Sequence, residues 1–146
     1  MNRHLVDVNV LLALVWPRHS SHSAAHAWFS KSGHQAWATN PLVELGVLRL
    51  LTNPAVTLGA VSAATAMAVL REAVQHPGHQ FWPLDQDLVP GLEDFTSYIA
   101  GHQQWNDAVL LLQASAHDAT LVSFDAGLKQ LAKDSQTGRV LLLQER

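Results

Sequence analysis

The sequence predicts an α/β fold in which helices cover both faces of a parallel sheet. Short apolar segments typical of buried strands alternate with longer segments that have helical periodicity. Hydrophobic residues make up 48% of the chain and charged residues only 14%, whereas about 25% charged is usual in a globular domain. We therefore expect residues 1–146 to form one domain with a substantial core.

Five segments are predicted as strands because they are short, apolar and bounded by turn residues. The predicted strands are residues 4–7, 35–39, 80–84, 119–124 and 140–143.

Helices are predicted between these strands. Residues 62–74 give the clearest case, since their apolar side chains recur at the i, i+3, i+4, i+7 spacing of an amphipathic helix. Asn40 and Pro41 mark another helix start, with Asn as the N-cap and Pro at the first helical position. The other predicted helices are residues 8–15, 20–31, 41–51, 88–99, 106–116 and 126–133.

The absence of cysteine restricts the chemistry. It excludes a disulfide scaffold, a thiolate zinc site, an iron–sulfur cluster and a cysteine nucleophile. A metal site in this chain must use oxygen and imidazole ligands, and oxygen ligands favour hard ions such as Mg²⁺ or Mn²⁺.

Four acidic residues occupy corresponding places in the predicted pattern. Asp7 and Asp125 each end a predicted strand, while Glu44 and Asp107 lie in the first turns of predicted helices. Carboxyl ends of parallel strands, and the starts of the helices that follow them, meet at one edge of the sheet, where open α/β folds bind ligands. We therefore expect these four carboxylates to lie at one pole of the fold.

The neighbours of Glu44 and Asp107 leave both charges uncompensated. The residues three and four positions after each are apolar, so neither acid gains an ion pair within its helix. A buried carboxylate is costly unless it is paired or binds a metal, and clustered acids also repel one another. A divalent cation would relieve both costs.

Each acid also has a purely structural interpretation. Asp7 and Asp125 could serve only as N-caps of the helices that follow them. Lys129 lies four residues after Asp125 and could pair with it. Glu44 and Asp107 could simply favour the positive end of a helix.

Four ordered segments resemble a known family. They are LVDVNVLLAL (5–14), TNPLVELGVLRLL (39–51), NDA (106–108) and SFD (123–125). In their order and spacing they resemble the PIN domain, and most closely the VapC-type toxins of bacterial toxin–antitoxin pairs. The resemblance extends along nearly the whole chain.

This resemblance implies a three-layer α/β/α sandwich around a mostly parallel sheet. It also implies Mg²⁺- or Mn²⁺-dependent endonuclease activity on RNA, which leaves a 5′-phosphate and a 3′-hydroxyl. Carried over by position, the acidic site consists of Asp7, Glu44, Asp107 and Asp125.

The resemblance also suggests roles within the site. Asp7 is expected as a direct metal ligand, with Asp107 and Asp125 completing the shell, while Glu44 either binds the metal or steers the attacking water. Asn9 and Ser123 match positions whose side chains orient the metal ligands or the substrate.

The same resemblance implies a homodimer, and inhibition by a small antitoxin whose C-terminal segment brings a basic residue into the acidic pocket. The number of aromatic residues, five Trp and four Phe, also suggests an interface, although core packing alone explains any one of them. The aromatic residues considered for these roles are Trp16, Trp28, Phe29, Trp37, Trp82 and Trp105.

The charge of the chain permits a polyanionic substrate without predicting one. The net charge is −3, from nine Lys and Arg against 12 acids. If four acids are metal ligands, eight remain (12 − 4), and the balance elsewhere becomes +1 (9 − 8).

Asp7 and Asn9 interrupt the apolar N-terminal stretch, and no apolar run in the sequence reaches the length of a membrane span. We therefore expect a cytoplasmic protein.

Other interpretations rest on weaker patterns. His19, His22 and His26 could share a helix face and bind zinc or copper, although a solvated polar face is favoured. Asp7 and Asn9 partly match the Asp-x-Asp motif of haloacid-dehalogenase-like phosphatases, but Asn9 cannot act as their general acid. The main alternative is a non-catalytic PIN-like domain that binds RNA or a protein.

Overall fold

The computed structural model describes residues 2–59 and 61–144, and its centre is a five-stranded, wholly parallel sheet. The strand order is β3-β2-β1-β4-β5. The strands are β1 (His4–Val6), β2 (Trp37–Thr39), β3 (His79–Phe81), β4 (Thr120–Ser123) and β5 (Arg139–Leu142).

Eight α-helices connect and cover these strands within the described residues. They are α1 (Val8–Val15), α2 (His22–Lys31), α3 (Pro41–Leu51), α4 (Pro54–Thr57), α5 (Ala63–Val74), α6 (Leu88–Leu92), α7 (Gln104–Ala116) and α8 (Ala126–Ser135). Helices α1, α2, α3 and α5 pack on one another, whereas α7 packs against the central strands and against α6 and α8. The two groups give the expected α/β/α layers.

The order of the strands places the two central ones, β1 and β4, side by side with Leu5 opposite Leu121. Both side chains are fully buried, as expected for a parallel sheet covered on both faces. Since β1 leads into α1 and β4 leads into α8, the starts of these two helices lie close together at the carboxyl edge of the sheet.

Local sequence signals account for the main helix starts. The Asn40 side chain accepts a hydrogen bond from the backbone N–H of Val43 at 2.9 Å, which caps α3 as predicted. Ser62 caps α5 in the same way, through the N–H of Thr65 at 3.1 Å. The predicted helix boundaries therefore hold to within a few residues for most helices.

The region after β3 differs from its prediction. A continuous helix over residues 88–99 is wrong, because α6 ends at Leu92 and a short 3₁₀ turn, Glu93–Phe95, follows. Pro90 and Gly91 disfavour a long helix here. The bend also lets Phe95 enter the core, where it is almost fully buried.

Three smaller differences concern element ends. The strand predicted at 80–84 is β3, His79–Phe81. Residues Gly33–Gln35, which were partly predicted as strand, form a 3₁₀ turn. The short helix α4 was not predicted; it forms because Asn53 caps it through the N–H of Ala55 at 2.9 Å.

The aromatic residues divide between core and surface. Trp28, Trp37 and Trp82 are buried, Trp16 and Phe29 are partly buried against the core, and Trp105 is 41% exposed. Core packing therefore accounts for most of the aromatic residues.

None of the helices in residues 2–59 and 61–144 combines the length and apolarity needed to cross a bilayer.

Candidate active site

Asp7 lies where β1 ends and α1 begins. Its carboxylate caps α1 by accepting a hydrogen bond from the backbone N–H of Val10 at 2.9 Å. The side chain is only 8% exposed, and it also hydrogen-bonds to the Ser123 side chain. The structural interpretation of Asp7 as an N-cap is therefore correct, but a cap is ordinarily a surface residue and this one is buried.

Asp125 lies in the matching position after β4. It caps α8 through the backbone N–H of Gly127 at 2.8 Å, and its own N–H donates to the Ser123 hydroxyl at 2.9 Å. Asp125 is exposed, unlike Asp7. Ser123, at the end of β4 and fully buried, thus contacts both acids.

Asp107 enters the same place from the first turn of α7, where its side chain is partly buried. The three aspartates act on one another electrostatically. Burial first, and then the charges of Asp125 and Asp7, raise the pKa of Asp107 to about 6. Burial likewise raises the pKa of Asp7 to about 6; the Asp125 charge adds to this, and the hydrogen bond from Ser123 opposes it.

No cation compensates these charges in the part of the chain that the structure describes. The single ion pair there joins Arg139 to Asp118 at 3.0 Å, with both side chains largely exposed. The pairing of Lys129 with Asp125 that the sequence allowed does not form. The aspartates are held by backbone N–H groups and one hydroxyl, which is an arrangement open to a bound cation.

Glu44 lies in the first turn of α3, as predicted, but its carboxylate has a different neighbour. Its Oε2 accepts a hydrogen bond from the Thr39 hydroxyl at 2.6 Å, and the same hydroxyl lies 2.7 Å from His79 Nε2. The charge of Glu44 acts on His79, and it is not among the groups that act on Asp7 or Asp107. The structure therefore couples three of the four predicted acids and directs the fourth towards β2 and β3.

Comparison with known proteins identifies the family. The family model described as "PIN domain" matches residues 4–134. The chain belongs to the PIN domain family. A curated relative, "Ribonuclease VapC38" of Mycobacterium tuberculosis strain H37Rv, is 40% identical over 139 residues, covering 95% of this chain and 96% of the relative. "Ribonuclease VapC39" of the same strain is 38% identical over 128 residues, covering 88% and 92%.

Solved structures share the fold of this PIN domain. The VapBC2 complex from Rickettsia felis, bound to a DNA fragment from its promoter, contains a chain with a TM-score of 0.65 and 12% identity. That match covers 97% of this chain and 98% of the other. FitAcB from Neisseria gonorrhoeae gives a TM-score of 0.60 at 19% identity, covering 94% and 96%. At these identities the likeness establishes the fold only.

The acidic residues of this PIN domain suit a hard cation that takes only one or two ligands from the protein and keeps several waters. Within residues 2–59 and 61–144, no three His, Asp or Glu side chains lie close enough together to hold a metal ion between them. Mg²⁺ commonly keeps several waters and uses only one or two carboxylates of the protein, so a partly open set of aspartates suits it. The clustered carboxylates, two of which have raised pKa values, match the preference of Mg²⁺ for oxygen ligands.

The two uncharged residues predicted for the site differ in their contacts. Ser123 lies between Asp7 and Asp125, as described above. Asn9 is exposed in the first turn of α1, and its backbone N–H hydrogen-bonds to Asp7. The Asn9 side chain is therefore available to solvent at the edge of the site, whereas Ser123 is a buried support of the acids.

The predicted histidine face forms in part, since His22 and His26 lie on one face of α2 with ring centroids 4.3 Å apart and His26 is exposed. His19 lies before α2 and accepts a hydrogen bond from the N–H of Ser21 at 3.0 Å. His22 hydrogen-bonds to the carbonyl of Ala13 at 2.7 Å and His26 to that of Leu14 at 3.0 Å. Both therefore satisfy carbonyls at the end of α1, which lack partners within that helix.

Thr39 and His79 were not predicted as residues of the site. In the predicted pattern Thr39 is only the end of a strand, and His79 lies outside the strand predicted at 80–84. The signal that could have found them is strand periodicity, because Trp37 pairs with His79 and Thr39 lies on the same side of β2 two residues later.

Proposed function

We propose that this PIN domain is a metal-dependent endoribonuclease that acts as the toxin of a toxin–antitoxin pair. The observation that carries the proposal is the group of three mutually repelling aspartates, Asp7, Asp107 and Asp125, at one edge of the sheet with no cation beside them in the described chain. The curated relatives that match along most of their length carry the name ribonuclease.

The ion would be Mg²⁺ or Mn²⁺, held directly by one or two of the aspartates Asp7, Asp107 and Asp125, with water in the remaining positions and between the ion and the other carboxylates. When bound, it would lower the pKa of a coordinated water and neutralise charge on the phosphoryl group. A nucleophile from the protein would then be unnecessary, and attack by water on phosphorus with cleavage of the P–O3′ bond would leave a 5′-phosphate and a 3′-hydroxyl.

The residues of the chain prepare this site in distinct ways. The N–H of Val10 and the hydroxyl of Ser123 fix Asp7 in its buried position, so its oxygens need little reorganisation to meet a cation. The N–H of Gly127 orients Asp125. Asn9, exposed at the rim, can donate its amide hydrogens to the RNA backbone. Glu44, held by Thr39, acts on a water or a leaving oxygen rather than as a ligand.

Magnesium at the aspartates also reconciles the acidic chain with a polyanionic substrate, since the ion removes negative charge where the phosphate must bind. RNA as substrate places the site of action in the cytoplasm.

The test is cleavage of a mixed RNA pool by the purified protein with Mg²⁺ or Mn²⁺ and with excess chelator. We expect cleavage only with the metal, products with 5′-phosphate ends, and a loss of at least about 100-fold in Asp7→Asn. Asp118→Asn is the matched control, because that aspartate is exposed and forms its ion pair with the exposed Arg139.

Cleavage that persists unchanged in chelator would show that the mechanism is wrong. RNA binding without any cleavage, in both the wild type and Asp7→Asn, would instead favour a non-catalytic PIN-like domain.

The proposed partners are an antitoxin and a second copy of the chain. Two solved structures with this fold are described as VapBC2 bound to promoter DNA and FitAB bound to DNA. A groove of about 470 Å³ between α1, α2 and α5, with Leu14, Phe29 and Val69 in its lining, would accept apolar side chains of an antitoxin.

A homodimer would cover some of the exposed apolar residues, such as Leu58 and Val89. Light scattering at micromolar concentration tests whether the protein is a dimer.

A further inference from the structure

Three side chains where β2, β3 and α3 meet form a continuous line of short contacts. Thr39, at the end of β2, is fully buried, and its Oγ1 lies 2.6 Å from Glu44 Oε2 and 2.7 Å from His79 Nε2. The parallel pairing of β2 with β3 sets the second distance, because it holds Trp37 opposite His79 and leaves Thr39 beside the ring. The His79 ring has one more polar contact, with the backbone carbonyl of Val74.

The number of protons in this line is determined by its chemistry. The contacts Val74–His79, His79–Thr39 and Thr39–Glu44 each need one proton, and the carbonyl of Val74 can only accept. The Thr39 hydroxyl supplies one proton, so His79 and Glu44 together must supply two.

Two arrangements satisfy this count. In the first, His79 carries both ring protons and Glu44 is ionised. In the second, His79 carries one ring proton and Glu44 is protonated. The two differ by the position of a single proton, and both have the same total charge.

We propose that Thr39 and His79 are positioning residues that form a proton relay with Glu44. In the forward direction the N–H bond of His79 breaks as its Nε2 proton passes to Thr39 Oγ1. The former hydroxyl proton of Thr39 passes at the same time to Glu44 Oε2, where a new O–H bond forms. The reverse shift returns the proton, so the relay needs no other reactant. Its catalytic consequence rests on the proposed ribonuclease function.

The relay gives Glu44 a role distinct from that of the aspartates. A carboxyl group that can hold or release a proton beside a phosphodiester serves as a general acid or base. Glu44 on α3 and His76, in the segment between α5 and β3, are the titratable groups that act on His79. Of these, only Glu44 shares the Thr39 hydroxyl.

The first experiment follows the His79 ring by ¹⁵N NMR in the metal-free protein, so it does not depend on RNA cleavage. Thr39→Val removes the hydroxyl and preserves the shape, and we expect the titration midpoint of His79 to fall by about one pH unit. Glu44→Gln should lower the midpoint similarly, but its effect should be smaller in the Thr39→Val background, because only the through-space charge of Glu44 then acts on His79. Thr39→Ser, which retains the hydroxyl, should restore the midpoint.

The second experiment measures RNA cleavage. Thr39→Val should reduce kcat at least about tenfold with KM nearly unchanged, since the buried hydroxyl does not reach the RNA. Thr52→Val is the control for the substitution itself, because the Thr52 hydroxyl bonds only to backbone carbonyls within its own helix. Thermal unfolding confirms that each variant is folded.

The outcomes separate the two proposals. An unchanged His79 midpoint in Thr39→Val would overturn the relay, as would additive effects of the two substitutions. If the two substitutions affect the His79 midpoint non-additively in a protein that cleaves no RNA, the relay is supported. That result would contradict only the ribonuclease function.

Discussion

Asp7 and Asp125 are joined through a single hydroxyl group. The Ser123 side chain hydrogen-bonds to the Asp7 carboxylate, and its oxygen accepts the backbone N–H of Asp125 at 2.9 Å. One residue at the end of β4 therefore links the starts of α1 and α8, which follow adjacent strands. This link explains how an acid that is 8% exposed and an acid that is exposed remain parts of one site.

The first prediction concerns this link. Ser123→Ala removes a hydrogen bond that lowers the pKa of Asp7, so that pKa should rise above its value of about 6. Because a metal ligand must be deprotonated, affinity for Mn²⁺ near pH 6.5 should fall about tenfold by calorimetry. Ser123→Thr, which keeps the hydroxyl, should retain most of the affinity.

Ser135→Ala serves as the control for Ser123→Ala. Its hydroxyl donates to the carbonyl of Leu131 at 2.7 Å within α8, away from the acids. It should lower the free energy of unfolding by about 1 kcal/mol without changing Mn²⁺ affinity. A loss of affinity of equal size in both variants would mean that Ser123 acts only through general stability.

The second prediction concerns pH. Asp7 has a pKa of about 6 in the folded protein against an ordinary value of 3.8, so the folded state binds its proton more tightly than the unfolded chain. The stability that this group contributes is fully present below about pH 4 and is lost as the pH rises through 6. The loss amounts to about 3 kcal/mol by pH 7.5 in the metal-free protein.

Histidines with lowered pKa values, His4, His79 and His117, oppose this trend, because their contribution is lost as the pH falls. The clean measurement is therefore the difference between Asp7→Asn and wild type in urea unfolding without metal. Asparagine still caps α1, so the variant should match wild type near pH 4 and exceed it by about 2–3 kcal/mol at pH 7.5. A difference that stays constant with pH would contradict the buried, repelled carboxylate.

The third prediction concerns the contact that sets α1 against α3. A Cβ on Gly46 would lie 2.7 Å from Val8 Cγ2, so Gly46→Ala should lower the free energy of unfolding by about 1–3 kcal/mol despite its better helix propensity. Val8→Ala in the same protein makes room, and urea unfolding should show the double variant to be less destabilised than the sum of the two single variants. Strict additivity would show that this contact does not limit the helix separation.

Much of the fold was predictable because local and long-range signals agree. The Asn40 cap with Pro41, and the periodicity of α5, fixed helices that the structure confirms. The region of α6 failed because a Pro-Gly pair and the burial of Phe95 outweigh apolar periodicity, and burial of one side chain is a tertiary property.

The site was predictable to the extent that strand ends determine it. Asp7 and Asp125 follow adjacent parallel strands, so strand alternation alone placed them together. The direction of Glu44 was not predictable, because its carboxylate turns towards a hydroxyl and an imidazole supplied by β2 and β3. Side-chain hydrogen bonds between strands depend on register, which a single sequence does not specify.

The most direct test of the central claim is a calorimetric titration of the metal-free protein with Mn²⁺ at pH 6.5, in buffers of different ionisation enthalpy. We expect binding with proton release, because Asp7 and Asp107 have pKa values of about 6, and a loss of affinity of at least about tenfold in Asp107→Asn but not in Asp118→Asn. Equal affinity in the wild type and Asp107→Asn, or no binding at all, would contradict it.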